Sequence, residues 1–143
     1  MPTIQFGNRD ILRGKVVDVA WYRMRIESVG EALSKDGNST NYPVEGTVLF
    51  NGDTGDTTFA GVPIDWNFNS KAIGFAVGFL GAFGIEAVQG KRYELTNAAG
   101  KEIDVFVEND TWQGRVINRV NHKYRTPKSE VTPRTPDAAV PNK

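Results

Sequence analysis

Apolar and polar residues alternate along several short segments of this chain, and this period of two restricts its fold more than any other feature. The clearest case is residues 21–29. One face of that segment carries Tyr22, Met24 and Ile26, and the other carries Trp21, Arg23 and Arg25. Because successive side chains of a β-strand point to opposite faces, the pattern predicts a strand with one face in a core. The chain is therefore expected to be mainly β.

Four further segments have the composition of strands and are separated by turn-forming residues. They are residues 44–50, 57–68, 102–111 and 115–124. We expect Gly61 or Pro63 to interrupt the second of these, because neither residue suits the interior of a strand. The loop at residues 112–114 is short enough for a hairpin between the last two strands.

One helix is predicted, between the third and fourth strands. Asn69 or Ser70 can cap its start by accepting free backbone N–H groups, and Gly84 can end it. The segment is apolar almost all round, so we expect it to be largely covered, and it is shorter than the roughly 20 residues that cross a bilayer. Three glycines lie along it, Gly74, Gly78 and Gly81. They favour close packing inside the domain, with an oligomer contact as the alternative.

Three strands, a helix and two strands follow the order of the OB fold, a barrel that binds oligonucleotides or oligosaccharides. The sequence therefore predicts a five-stranded OB-like barrel over residues 1–125, with one helix between the third and fourth strands. Strand order alone leaves other small β-barrels open. From Thr126 the chain is rich in proline and threonine and has no aromatic residue. Residues 126–143 are therefore expected to be a flexible, disordered tail.

The formal net charge of zero conceals an uneven distribution. Residues 1–30 carry a net charge of +2, residues 31–113 carry −7 and residues 114–143 carry +5. A polyanion responds to the local potential and not to the total, so a neutral chain can still bind nucleic acid. The alternative is that the basic end only keeps the protein in solution.

Composition excludes most catalytic chemistry. The chain has no cysteine and one histidine, which rules out thiol catalysis, disulfides and metal sites built from thiolates or paired histidines. Residues 51–56 resemble a calcium loop but lack its full acidic pattern. The acidic residues are scattered singly, so we predict no enzyme, cofactor or metal. The first residues do not form a signal peptide, which points to the cytoplasm.

Basic and aromatic residues are interleaved on the predicted strands, the pattern that holds single-stranded nucleic acid by phosphate attraction and base stacking. The candidate DNA-binding residues from this pattern are Trp21, Arg23, Arg25, Tyr42, Phe106, Trp112, Arg115, Arg119, Lys123, Tyr124 and Arg125. Each aromatic residue among them could instead belong to the core or cap the barrel.

Several short segments, taken in order, resemble a bacteriophage family of small OB-type single-stranded DNA-binding proteins, long classed as a domain of unknown function. These segments are residues 20–26, 34–39, 68–72, 79–84, 100–102 and 112–120. The resemblance spans roughly residues 12–125. It implies binding of single-stranded DNA in phage replication or recombination, in the host cytoplasm. The contacts that it implies come from Lys35, Lys101, Arg115, Arg119 and Tyr124.

The end of the chain departs from a pattern that many single-stranded DNA-binding proteins share. Those proteins end in an acidic tail that recruits partners, whereas residues 126–143 carry three basic and two acidic residues. This puts recruitment through an acidic tip in doubt.

Two hypotheses follow from the sequence. The first is a sequence-tolerant single-stranded DNA-binding protein whose affinity depends strongly on salt. Under this hypothesis phage or host replication and recombination proteins are further partners, homo-oligomers are an open possibility, and no membrane contact is expected. The alternative is a protein-interaction or virion structural module on the same barrel, without any DNA contact.

Overall fold

The computed structural model describes residues 2–134, which form a mainly β fold. Its strands are β1 Ala20–Val29, β2 Ala32–Leu33, β3 Thr40–Asn51, β4 Pro63–Asn69, β5 Glu102–Trp112 and β6 Arg115–Arg125. Its α-helices are α1 Asn8–Leu12 and α2 Phe75–Ala82, and two 3-10 helices cover Ser70–Ala72 and Leu95–Ala98. The sequence predicted five of the six strands and missed β2, α1 and the second 3-10 helix.

All six strands belong to one antiparallel sheet in which β1 is central. β1 pairs with β3 on one edge and with β5 on the other, while β4 adds outside β3 and β6 adds outside β5. The short β2 pairs with the start of β3. Within residues 2–134 no backbone pairing joins β4 to β6, so the sheet is open. The mainly β prediction is confirmed, but the predicted five-stranded OB-like barrel is instead an open six-stranded sheet.

Other parts of the chain lie between the free edges of β4 and β6. Arg13 Nη1 donates to Asp65 Oδ2 on β4 at 2.9 Å. Four residues later, Val17 N donates to Asn118 Oδ1 on β6, and Asn118 Nδ2 donates to the carbonyl of Lys15. Residues 13–17 thus cross the opening, and α2 packs against β6. These contacts link the two edge strands without pairing their backbones.

The core lies on the inner face of the sheet, where the alternation in β1 placed it. Tyr22, Met24 and Ile26 are almost fully buried there, which confirms the predicted apolar face. The remaining fully buried apolar side chains on the strands are Val44, Val48, Phe68, Ile103, Val105 and Val107. Trp66 and Phe68 belong to this core too, as expected.

The predicted helix forms in two pieces. Asn69 caps the first, since its Oδ1 accepts from Lys71 N at 2.9 Å, and Gly84 follows α2 with a φ of +81°. α2 lies on an edge strand, so the sheet covers one of its sides only. As a result Phe75 and Val77 are both 54% exposed, and the expectation of a largely covered helix is wrong. None of the helices in the described part of the chain has the length and apolar character to span a membrane.

The three glycines of this region also differ in how closely other residues approach them. A Cβ added to Gly78 would lie 3.7 Å from the ring of Tyr124, so Gly78 does serve the close packing of α2 on β6. Added at Gly74 or Gly81 it would meet nothing within 4 Å. Packing inside the domain therefore explains one glycine of the three.

The turns follow local backbone chemistry. The third predicted strand begins only at Pro63, and Gly61 before it has a φ of +92°, so the expected interruption is confirmed. In the last hairpin Trp112 pairs directly with Arg115. Gln113 and Gly114 both have positive φ, as the two-residue turn of a tight hairpin requires. The turn is thus one residue shorter than the predicted loop.

The first half of the predicted tail lies on the domain. Arg23 Nη2 donates to the carbonyl of Lys128, and Arg134 N donates to the carbonyl of Gly55. Residues 126–134 are therefore placed by hydrogen bonds to β1 and to the loop after β3, and do not form a free tail. The remainder of the predicted tail, residues 135–143, lies outside the described residues.

Candidate nucleic-acid interface

Two aromatic and two basic side chains meet on the outer face of the sheet. The register of β1 and β5 places Trp21 opposite Phe106, and their rings pack edge to face with centroids 5.3 Å apart. The guanidinium carbon of Arg125 lies 4.3 Å from the centre of the Trp21 ring, and Lys123 Nζ lies 5.2 Å from that of Phe106. We call these four residues the platform. Both cation–ring distances are within the range of an attractive cation–π contact.

A bulge in β6 shapes this platform. Three residues of β6, 121–123, lie opposite the single residue Phe106 of β5. The chain accommodates them with a φ of +59° at His122, in the left-handed region that histidine enters more readily than most residues. Phe106 consequently has no paired residue on β6, and Lys123 folds over its ring. Bulges of this kind are frequent beside functional sites, where they redirect side chains.

The side chain of His122 points to the inner side of β6. Its ring stacks on Phe75 with centroids 4.6 Å apart, and its Nδ1 lies 2.9 Å from the hydroxyl of Tyr124. Burial lowers the pKa of His122, and burial also raises the pKa of Tyr124 far above its usual range. His122 is therefore neutral at physiological pH. Tyr124 packs on the core side, against Phe79 and Trp66, and does not face the platform.

A buried carboxylate organises the arginines beside the platform. Asp104 is 0% exposed and accepts hydrogen bonds from Arg23 Nε at 2.8 Å and from Arg125 Nε at 2.9 Å. Arg125 Nη2 also reaches Asp53 at 2.6 Å. Hydrogen bonds from Arg125 and Lys128 lower the pKa of Asp53. Arg23 is itself only 8% exposed, so it holds the sheet together and lies below the accessible surface.

Sequence reasoning missed both carboxylates. Asp104 stands between two apolar residues of β5, and the period of two places it on the same face as Phe106. That much could have been inferred. Its burial depends on Gly52, whose backbone runs so close that an added Cβ would lie 2.9 Å from Asp104 Oδ2. No local sequence pattern predicts this contact.

The other predicted cations on this face are paired with carboxylates. Arg119 Nε lies 2.6 Å from Asp110, and Lys123 Nζ lies 3.7 Å from Glu108. Arg25 pairs with Glu27 at 2.9 Å, and the hydrogen bond of Glu27 with Thr47 lowers the pKa of Glu27. The basic residues of the final strand thus face an acidic neighbouring strand, and the platform region is close to charge balance.

Five predicted site residues lie away from the platform. Lys35 is in the turn after β2, and Lys101 precedes β5; both are exposed. Tyr42 lines a separate cavity of about 290 Å³ beside α2. Trp112, 54% exposed, and Arg115 form the end of the last hairpin, beyond the start of β1. Of these, Lys35, Lys101 and Arg115 have no ion pair within residues 2–134.

The turn that resembles a calcium loop satisfies its own polar groups. Asn51 Oδ1 accepts from the backbone N–H groups of Asp53 and Thr54, and Asp56 Oδ1 accepts from Thr58 N. Across residues 2–134 there is no group of three or more histidine, aspartate or glutamate side chains that could hold a metal ion.

Comparison with known proteins assigns no family to this chain. No protein-family model matches it. No curated protein is significantly similar to it. The resemblance to the phage family rests on the short segments named above and on nothing further.

Proposed function

We propose that this protein binds single-stranded DNA, without strong sequence preference, through the platform on the outer face of β1, β5 and β6. The observation that carries the proposal is the Trp21–Phe106 pair with Arg125 and Lys123 held over its rings. The strand order supports it as well. The order of the five long strands is β4–β3–β1–β5–β6. This is the order of an OB fold in which the two outer strands, β4 and β6, do not pair with each other.

The chemistry of the platform suits unpaired bases. A base stacked on an exposed aromatic ring gains about 1–3 kcal/mol, and every base has a face that can stack. In a duplex those faces are covered by neighbouring bases. An edge-to-face aromatic pair with two cations beside it therefore favours single strands over duplexes and tolerates any sequence.

Charge balance modifies the expected salt response. For single strands, the logarithm of the binding constant falls linearly with the logarithm of the salt concentration. The slope is about 0.7 for each phosphate that a cation neutralises. Because Arg119, Lys123 and Arg125 already have carboxylate partners, few of them can neutralise phosphates without losing an ion pair. We therefore expect a modest salt slope, with stacking as the main source of affinity, in place of the strong dependence that the sequence suggested.

Fluorescence anisotropy of a labelled oligothymidine tests the proposal, at low and at high salt and with duplex DNA as competitor. We expect duplex DNA to leave the oligothymidine bound, and we expect a moderate loss of affinity at high salt. Lys123→Ala should weaken it, whereas Lys71→Ala, an exposed lysine next to β4, should not. An absence of binding at low salt would overturn the proposal.

One observation favours the second candidate, a protein-interaction module. The exposed side of α2 and the residue before Gly74 present Ile73, Phe75 and Val77, each about half exposed, with no charged residue among them. Adjacent apolar groups on a surface are a feature of protein–protein interaction sites. If the titration shows no DNA affinity, this surface becomes the first to examine for phage or host partners or for a second copy.

A further inference from the structure

A third cation–aromatic pair lies on the same outer face, next to the platform. The register of β1 and β3 pairs Arg23 with Phe50, and the guanidinium carbon of Arg23 lies 4.9 Å from the centre of the Phe50 ring. Asp104 joins this pair to the platform, because it binds Arg23 and Arg125 together. The three pairs therefore form one continuous row across β3, β1, β5 and β6.

Phe50 is covered, although it does not belong to the core. It is only 6% exposed, yet it lies outside the hydrophobic cluster that the described residues form on the inner face. What lies above it is the segment of residues 126–134, which we call the strap. Ser129, Val131, Thr132 and Pro133 of the strap face Leu49, Phe50, Arg23 and Glu102 of the sheet across a groove.

The strap is fixed at two points. At the first, the carbonyl of Lys128 accepts from Arg23 Nη2 at 2.9 Å, and Lys128 Nζ reaches Asp53 Oδ1 at 3.0 Å. At the second, Arg134 N donates to the carbonyl of Gly55 at 2.8 Å, and Thr57 Oγ1 donates to the carbonyl of Arg134 at 3.0 Å. Between these points the strap and the sheet line an open surface groove of about 580 Å³.

Almost all of these attachments are polar and lie near the surface. Hydrogen bonds and ion pairs in such positions contribute little each, because water replaces them readily. A ligand that supplies its own anion to Arg23 and its own flat ring to Phe50 would compensate for their loss. A nucleotide has both groups.

We propose that the Arg23–Phe50 pair is a further nucleotide subsite, and that the strap lifts to admit the strand bound at the platform. The inference rests on the proposed function, since it concerns the same DNA strand. A short oligonucleotide occupies the platform alone and leaves the strap in place. A longer one continues over β1 to β3, where a base stacks on Phe50 and a phosphate replaces the Lys128 carbonyl at Arg23.

A disulfide can hold the strap closed, and the cysteine-free sequence makes such a bond unambiguous. Asp56 and Arg134 form a parallel backbone bridge. Bridged residues in neighbouring strands are about 5 Å apart, inside the roughly 4.4–6.8 Å between α-carbons that a disulfide spans. The double variant Asp56→Cys/Arg134→Cys should therefore lock the strap when oxidised and release it when reduced.

The test compares two labelled oligothymidines, of about four and about twelve nucleotides, which bracket most of the site-size range of a single OB-type domain. Anisotropy is measured with the full chain, oxidised and reduced, and the two single-cysteine variants serve as controls for the redox treatment. We expect oxidation to weaken binding of the longer oligonucleotide about fivefold or more and to leave the shorter one unchanged.

Each other outcome is decisive. If the longer oligonucleotide binds equally in both redox states, the subsite is wrong while the proposed function stands. If neither oligonucleotide binds the reduced protein, the proposed function fails and the subsite with it. Phe50→Leu in an otherwise unaltered chain provides a second measurement, because it keeps an apolar side chain and removes the ring. It should weaken binding of the longer oligonucleotide only; equal loss or no loss for both lengths would contradict the subsite.

Discussion

The outer face of the sheet has two halves of similar composition and different environment. In one half Arg23 lies over Phe50 beneath residues 126–134, and both side chains are less than 10% exposed. In the other half Lys123 and Arg125 lie over Phe106 and Trp21, and these rings remain accessible. The same pairing of a cation with an aromatic ring is thus covered by the chain in one place and left accessible in the other. What packs above the pair decides between the two.

The carboxylates that accompany the two halves differ in the same way. Asp104 in the covered half has no solvent exposure, and two arginines satisfy both of its oxygens. Glu108 and Asp110 in the open half have side chains that are 32% and 48% exposed. Charge pairing in the covered half is therefore part of the fold, while pairing in the open half is screened by water and can exchange with a ligand.

Removing the buried carboxylate is the change with the largest expected effect. Asp104→Ala leaves Arg23 buried without its closest partner, and breaking a buried ion pair in this way costs about 3–5 kcal/mol. We expect a loss of that size in the free energy of unfolding, measured by urea denaturation. The matched control is Asp110→Ala, which removes the exposed partner of Arg119 and should cost about 1 kcal/mol or less. Equal losses in the two variants would show that the halves do not differ as described.

Removing a ring from the open half should act on binding. Phe106→Ala deletes one stacking surface of the platform, so we expect the affinity for oligothymidine to fall by about 1–3 kcal/mol while the fold is retained. Phe75→Ala is the matched control, because Phe75 is also partly exposed but lies on α2, on the other side of β6. Anisotropy titrations of both variants, with circular dichroism to verify folding, check this. A similar loss from both variants would remove the platform from the site.

Much of this arrangement could be predicted from the sequence, because local patterns determine it. The alternation through Tyr22, Met24 and Ile26 identified the inner face of β1, and with it the outer position of Trp21 and Arg23. Turn-forming residues located the breaks between strands. These signals are local, and each depends only on neighbouring residues along the chain.

The rest depends on contacts between residues distant in sequence. The burial of Arg23 involves a contact with the carbonyl of Lys128, more than a hundred residues away. The chain before β1 reaches both edge strands through distant contacts, of Arg13 with β4 and of Val17 with Asn118 on β6. The sequence pattern of β6 does not predict a bulge at His122. The positive φ of that residue occurs opposite Phe106, which lies on a different strand. Sequence periodicity identifies the two faces of a strand, but it does not show which other parts of the chain cover them.

The smallest expected effect is a pH dependence of stability that distinguishes His122, on the inner side of β6, from Asp53 beside the strap. Burial lowers the pKa of His122 beside the platform, so the folded protein binds this proton less readily than the unfolded chain, whose histidine titrates near 6.5. Stability from neutral His122 is therefore complete above that pH and declines as the pH falls toward the folded pKa. Asp53 beside the strap has a lowered pKa, so its contribution is complete above about 3.8 and declines only in stronger acid.

Thermal unfolding measured from pH 7.5 to pH 3 should accordingly show a small early decline from His122 and a later one from Asp53. His122→Asn, which retains a side chain suited to positive φ, should remove the early decline and preserve the later one. Asp53→Asn should do the reverse, because it removes the carboxylate that holds Arg125 and Lys128. If His122→Asn left the early decline unchanged, the neutral histidine stacked on Phe75 could not be its source.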